Sequence, residues 1–174
     1  WKGALYMLTI KDKKYKSIVK NILRDNNFKK TYNIEHHGIS RMEHSLRVSY
    51  YSYKIAKKLG FDYKAVARGG LLHDFYLEGD ERNKVKKFTD TFVHPKKALA
   101  TSKEYFDLSQ LEENIIVSHM FPIYLSLPKY KESVLVNLVD KVIGGYEMMR
   151  KVRCKTVYML NYTLLLFVVF ITTN

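Results

Sequence analysis

The chain has 174 residues, of which 47% are hydrophobic and 27% are charged, so it fits one globular domain with a sizeable core and is not wholly disordered. Its single cysteine excludes an internal disulfide framework and is typical of a reducing compartment, so we expect a cytoplasmic protein. The formal net charge of +13 favours anionic partners, but the lysines form no single arm and we expect no specific nucleic-acid partner.

The N-terminal half of the chain has the hydrophobic spacing of helices. An early amphipathic helix is predicted from the apolar residues Ile18, Val19, Ile22 and Leu23. Ser40 is predicted to begin a second helix, because Glu43 follows it with the spacing of a capping box, and Gly60 is a natural stop for that helix. Asp62 is predicted to cap a third helix that ends near His73.

The C-terminal half continues the helical pattern after a polar stretch. Residues 78–90 are polar and charged and are predicted to form a surface loop. His94-Pro95 is predicted to open a fourth helix, with proline in its first turn. Ser109 begins a further helix through a second capping box, and residues 132–150 form the last core helix. The predicted fold class is therefore all-α, a compact bundle of about six core helices followed by an apolar C-terminal segment.

The C-terminal tail is uncharged between residues 156 and 173, and residues 164–171 are all apolar. A membrane span needs about 20 apolar residues, and Asn161 interrupts this shorter run. Basic residues stand just before it, as the cytoplasmic flanks of an anchor do. Three interpretations therefore stay open: a buried or partner-facing helix, a short anchor that would give membrane association, and a non-native terminus.

Four titratable residues stand inside helical segments that are otherwise partly apolar. His44 shares a stripe of the second helix with Arg47, and Asp140 lies within the last core helix. His73 and Asp74 close an apolar run, where burying a carboxylate costs several kcal/mol unless a charge or a metal compensates it. Because imidazole and carboxylate together bind divalent metals, these four residues are candidate ligands.

The order of these residues in a helical chain resembles the H…HD…D signature of the HD superfamily of metal-dependent phosphohydrolases. The local strings Glu43-His44-Ser45-Leu46-Arg47-Val48, Gly70-Leu71-Leu72-His73-Asp74 and Leu138-Val139-Asp140-Lys141 resemble its first, second and last motifs. The resemblance implies an HD-type bundle, which we place at residues 34–150, after an N-terminal helical segment at 1–33 and before the apolar tail at 151–174.

The resemblance also implies a ligand set. The first ion would be held by His44, His73, Asp74 and Asp140. Members with two metals take further histidines from the corresponding helices, here His94 and His119, and Asp74 would bridge the two ions. We expect one or two divalent ions per chain, of Mn, Fe, Co, Ni, Zn or Mg. A loop role is expected for His36 and His37.

The activity that the resemblance implies is hydrolysis of a phosphomonoester or phosphodiester in a nucleotide or similar small phosphorylated substrate. Metal-activated water would attack phosphorus, and Asp74 would help to orient that water. The candidate phosphate-binding residues are Arg47, Arg68, Lys97 and Lys141. Two alternatives stay open: hydrolysis of a diadenosine polyphosphate, and a non-catalytic regulatory or scaffold HD domain tethered by its tail. The sequence after Asp74 lacks the lysine of the cyclic-di-nucleotide branch, so that activity is not expected.

Overall fold

The computed structural model describes residues 10–36, 39–77 and 84–173, with side chains described at 10–34, 39–77, 93–156 and 159. In chain order the elements are α1 (Lys13–Arg24), α2 (Asn26–Lys30), a 3₁₀ helix (Thr31–Asn33), β1 (Glu35–His36), β2 (Ile39–Ser40), α3 (Arg41–Leu59), α4 (Tyr63–Leu72), α5 (Lys84–Tyr105), α6 (Gln110–Ser118) and α7 (Lys131–Thr173). The all-α prediction is confirmed. The two strands form one antiparallel pair and are too short to give an alternating sequence pattern.

The helix boundaries predicted from capping residues are confirmed. The Ser40 side chain accepts the Glu43 N–H at the start of α3, and Gly60 closes that helix with a left-handed φ of 69°. Asp62 accepts two backbone N–H groups at the start of α4. Ser109 forms a complete capping box at the start of α6. Each of these signals is local, because a cap is made by residues within one turn of the helix end.

The prediction for residues 78–90 is wrong over its second half, since residues 84–90 lie inside α5. Residues 78–83 lie outside the described part of the chain. Within the polar stretch, Val85, Phe88 and Phe92 have the three-and-four spacing of a helix, and the lysines around them obscured it. Pro95 is also not at a helix start but inside α5, where it removes one backbone hydrogen bond from the ladder.

The last helix is longer than predicted, because α7 runs on from the core into the tail without a break. Glu147 is buried, whereas residues 148–156 are all exposed, so α7 leaves the body of the domain after Glu147. Among the described residues, no helix combines the length and the apolar character needed to cross a bilayer. The apolar run at 164–171 belongs to α7, but its side chains lie outside the described set, and its role stays a prediction.

The central helix α4 is packed unusually closely against its neighbours. A Cβ atom on Gly70 would lie 3.2 Å from the Ser49 Cα of α3, and one on Gly69 would lie 2.9 Å from the Ile115 Cγ2 of α6. Glycine at both positions therefore lets three helices approach one another. The C-terminal end of α4 carries His73 and Asp74, so this close packing brings them to the centre of the bundle.

Candidate metal centre

The structure brings the six predicted metal-ligand residues into one buried cluster. They come from five helices: His44 from α3, His73 and Asp74 from the end of α4, His94 from α5, His119 from the end of α6, and Asp140 from α7. Five of the six residues are at most 8% exposed, and Asp140 has a side-chain exposure of 13%. So many titratable groups buried together need a compensating charge, because burial alone strongly disfavours ionised groups.

One half of the cluster consists of His44, His73 and Asp140. The Asp140 Oδ1 atom lies 2.9 Å from His44 Nε2 and 3.5 Å from His73 Nε2. The ligand atoms of the three residues all lie within 4.8 Å of one another. Two imidazoles and one carboxylate therefore converge on a single point.

The other half consists of Asp74, His94 and His119. The Asp74 Oδ1 atom lies 3.4 Å from His94 Nε2 and 3.5 Å from His119 Nε2, and the two histidine nitrogens are 2.9 Å apart. The second Asp74 oxygen, Oδ2, lies 3.9 Å from His73 Nε2. Asp74 thus has one oxygen in each direction and joins the two halves.

The donor geometry fits a divalent metal. Ligand atoms that share an ion at about 2.1 Å lie about 3–3.4 Å from one another in tetrahedral or octahedral arrangements, and the separations of 2.9–3.5 Å in the two halves are close to that range. His73 Nε2 is fully buried and has no hydrogen-bond partner within the described residues, although it points at two carboxylates. A buried nitrogen without a hydrogen bond is costly, and its position between two carboxylates fits a metal-binding role.

Two of the rings are held in one orientation by the backbone. His73 Nδ1 donates to the Gly70 carbonyl at 2.8 Å, and His119 Nδ1 donates to the Ile116 carbonyl at 2.7 Å. In a neutral imidazole with Nδ1 protonated, Nε2 carries the lone pair. In their neutral form, both rings would therefore present an Nε2 lone pair to the cluster, as metal ligation requires.

The electrostatics of the two halves differ. Burial alone would lower the pKa of His44, but hydrogen bonds with Asp140 and Glu147 outweigh it and raise this pKa to about 10. Burial would raise the pKa of Asp140, but the hydrogen bond with His44 and the close imidazole of His73 hold it well below its usual value. Burial and the neighbouring His73 lower the pKa of His119 to about 4. The carboxylates of Asp140 and Glu147 therefore favour positive charge at His44, whereas His119 stays neutral and able to ligate.

Residues 41–157, more than half of the chain, match the HD domain family. The chain belongs to the HD domain family. That span contains all six residues of the cluster, and the H…HD…D resemblance is confirmed at the level of the family. Most members of the family are metal-dependent hydrolases. No curated protein and no solved structure matched this HD domain.

Two groups around the cluster were not predicted from the sequence. Glu147 accepts a hydrogen bond from His44 Nδ1 at 2.8 Å, on the side of the ring that faces away from Asp140. The Tyr76 ring stacks on the His94 ring with centroids 5.8 Å apart, and the Arg41 guanidinium lies 3.9 Å from the centre of the Tyr76 ring. Only Glu147 had a signal in the sequence, since it stands two turns after Asp140 on the same helix face.

The predicted phosphate-binding residues are placed very differently in this HD domain. The Lys141 Nζ atom lies next to the cluster, bonded to the His119 carbonyl at 3.3 Å and to Asn137 Oδ1 at 2.7 Å. The Arg47 guanidinium donates to the carboxylates of Glu43 and Glu147. Arg68 bonds Glu112 and the Asp107 carbonyl, and Lys97 is exposed on α5, three residues after His94. Of the four, Lys141 bonds the backbone of a cluster residue, and the phosphate-binding role of all four stays a prediction.

The predicted loop role of His36 and His37 is wrong for His36, whose backbone forms part of β1 and pairs with Ile39; its side chain lies outside the described set. His37 lies outside the described residues altogether, so its loop role stays a prediction.

Proposed function

We propose that this HD domain is a metal-dependent phosphohydrolase that acts on a small phosphorylated substrate, such as a nucleotide phosphomonoester or phosphodiester. One observation supports this most strongly: the Asp74 carboxylate joins two buried sets of donors, with one oxygen on each side. The six residues would hold one or two divalent ions of Mn, Fe, Co, Ni, Zn or Mg. Such an ion supplies Lewis acidity and activates water near neutral pH.

The chain's own groups would orient the reactants. Asp74 is only 3% exposed, and a carboxylate oxygen accepts hydrogen bonds, so Asp74 would orient the attacking water. Lys141 has three N–H donors, of which two are used by His119 and Asn137, and the third would bind a phosphate oxygen. The free, exposed Cys154 supports a reducing location, and we place this activity in the cytoplasm.

The direct test combines metal content and hydrolysis in the same preparation. The full chain is purified, supplemented with each divalent ion in turn, and assayed on phosphomonoesters, phosphodiesters, nucleotides and dinucleoside polyphosphates. We expect at least one bound ion per chain by elemental analysis, together with turnover of at least one substrate. Asp74→Asn should lower both the metal content and kcat, the latter by about 10²–10⁴-fold, because it removes a carboxylate that would join the two sets of metal ligands and orient the reacting water.

The matched control is Asp107→Asn, which makes the same chemical change at an exposed position where only the backbone carbonyl is bonded. It should leave both metal content and kcat unchanged. A chain that binds metal but hydrolyses nothing in the panel would refute the enzyme and favour the regulatory or scaffold alternative. A chain that binds no metal would refute the metal centre itself.

A further inference from the structure

Among the described side chains of α7, Glu147 is the last buried one, and the helix leaves the body of the domain after it. Glu147 is 2% exposed, whereas residues 148–156 are all exposed. Burying a carboxylate is costly unless its oxygens find donors. Both Glu147 oxygens have one: Oε2 accepts from His44 Nδ1 at 2.8 Å, and Oε1 accepts from the Arg47 guanidinium at 3.1 Å. The carboxylate is therefore held between an imidazole and a guanidinium.

The His44 ring lies between two carboxylates that belong to the same helix. Asp140 and Glu147 share a face of α7 and are about 10 Å apart along its axis, at 1.5 Å per residue. Asp140 Oδ1 contacts Nε2 at 2.9 Å, and Glu147 Oε2 contacts Nδ1 at 2.8 Å. Because the two ring nitrogens lie on opposite edges, a ring that bonds Glu147 through Nδ1 must direct Nε2 toward His73 and Asp140.

We infer that Glu147 is a positioning residue that keeps His44 with Nε2 directed into the metal centre. This inference rests on the proposed metal centre and concerns only how one of its ligands is held. Arg47 would hold the carboxylate from its other side, and Arg47 is itself bonded to Glu43 at 2.6 Å. Arg47, predicted above to bind substrate, therefore contributes through Glu147. Loss of a carboxylate behind a ligating histidine typically costs 10–100-fold in metal affinity.

The experiment measures Zn²⁺ binding to the metal-stripped full chain by calorimetry. Glu147→Leu and Glu147→Met keep the side-chain size but remove the acceptor, so affinity for Zn²⁺ should fall about 10–100-fold, and either variant that folds by circular dichroism suffices. Glu147→Gln keeps an oxygen that can accept from Nδ1 and should recover most of the affinity. The matched control is Glu43→Gln, which weakens a contact of the Arg47 guanidinium but leaves Glu147 in place. It should change the affinity for Zn²⁺ about twofold at most.

A second readout separates positioning from a general effect on folding. In the Zn²⁺-loaded wild type, ¹⁵N-detected NMR of the His44 ring should show a protonated Nδ1 and a metal-bound Nε2. This single state should persist in Glu147→Gln and be lost in Glu147→Leu. A wild type that binds no Zn²⁺ would overturn the metal centre and this role with it. A wild type that binds Zn²⁺, with a leucine variant of equal affinity and an unchanged ring, would overturn only the role of Glu147.

Discussion

Gly69→Ala tests whether the close approach of α4 and α6 shapes the domain. The added Cβ would lie 2.9 Å from Cγ2 and 3.0 Å from Cβ of Ile115, which is fully buried. Ile115 is β-branched and restricted to essentially one rotamer in a helix, so it cannot turn away. The matched control is Gly145→Ala in α7, where an added Cβ meets nothing within 4 Å.

Both variants gain helix propensity, but only Gly69→Ala also overpacks the core. Alanine improves helix propensity over glycine by about 1 kcal/mol at both positions. Overpacking at Gly69 costs about 1–3 kcal/mol, so the unfolding free energy of Gly69→Ala should lie below that of Gly145→Ala by that amount. Urea denaturation measures the difference, which corresponds to a Tm gap of about 2–12 °C in a chain of this size. Equal stability of the two variants would refute the steric reasoning.

Two further predictions concern local contacts outside the metal centre. Asp12 accepts a hydrogen bond from the Tyr15 N–H at 3.0 Å and another from the Tyr53 hydroxyl at 3.1 Å, and these bonds lower its pKa below 3.8. The charge of Asp12 should therefore stabilise the fold above pH 3.8, and this stabilisation should be lost as the pH falls through the lowered pKa. In thermal melts, the Tm of wild type should fall more steeply with decreasing pH than the Tm of Asp12→Asn. Parallel curves of Tm against pH would contradict this. Ser109→Ala should cost about 1 kcal/mol in urea denaturation, because it removes the acceptor for the Glu112 N–H at 3.2 Å, while Ser109→Asp should not; unchanged stability of the alanine variant would speak against the cap.

Much of the fold could be predicted from the sequence because its signals are local. Ser40, Gly60, Asp62 and Ser109 mark helix ends by interactions within one turn. The start of α5 could not be predicted in this way, because lysines dominate a segment whose apolar residues have helical spacing. The two-residue strands depend on pairing across a turn, and so short a segment has no period to detect.

The six residues of the cluster could be proposed from residue type and the family signature, but their partners could not. Arg68 was considered for phosphate on charge alone, yet it bonds Glu112, which is distant in sequence. Glu147 shares a helix face with Asp140, but the basic residues Arg150, Lys151 and Arg153 that follow it are typical of a solvated, exposed helix. Its contact with His44 depends on how α3 and α7 cross, which is set by packing rather than by either segment.

His73 and His119 each stand at the C-terminal cap of a helix. In each residue, the imidazole ring that bonds the helix backbone also faces the cluster. A peptide carbonyl at a helix end has lost its intrahelical donor, and the imidazole three residues later replaces it. Turning either ring away would strand a buried carbonyl, at a penalty of about 1–3 kcal/mol. These side chains can therefore rotate away only if the helix ends also fray, so the helix backbone fixes the orientation of both rings in the metal centre.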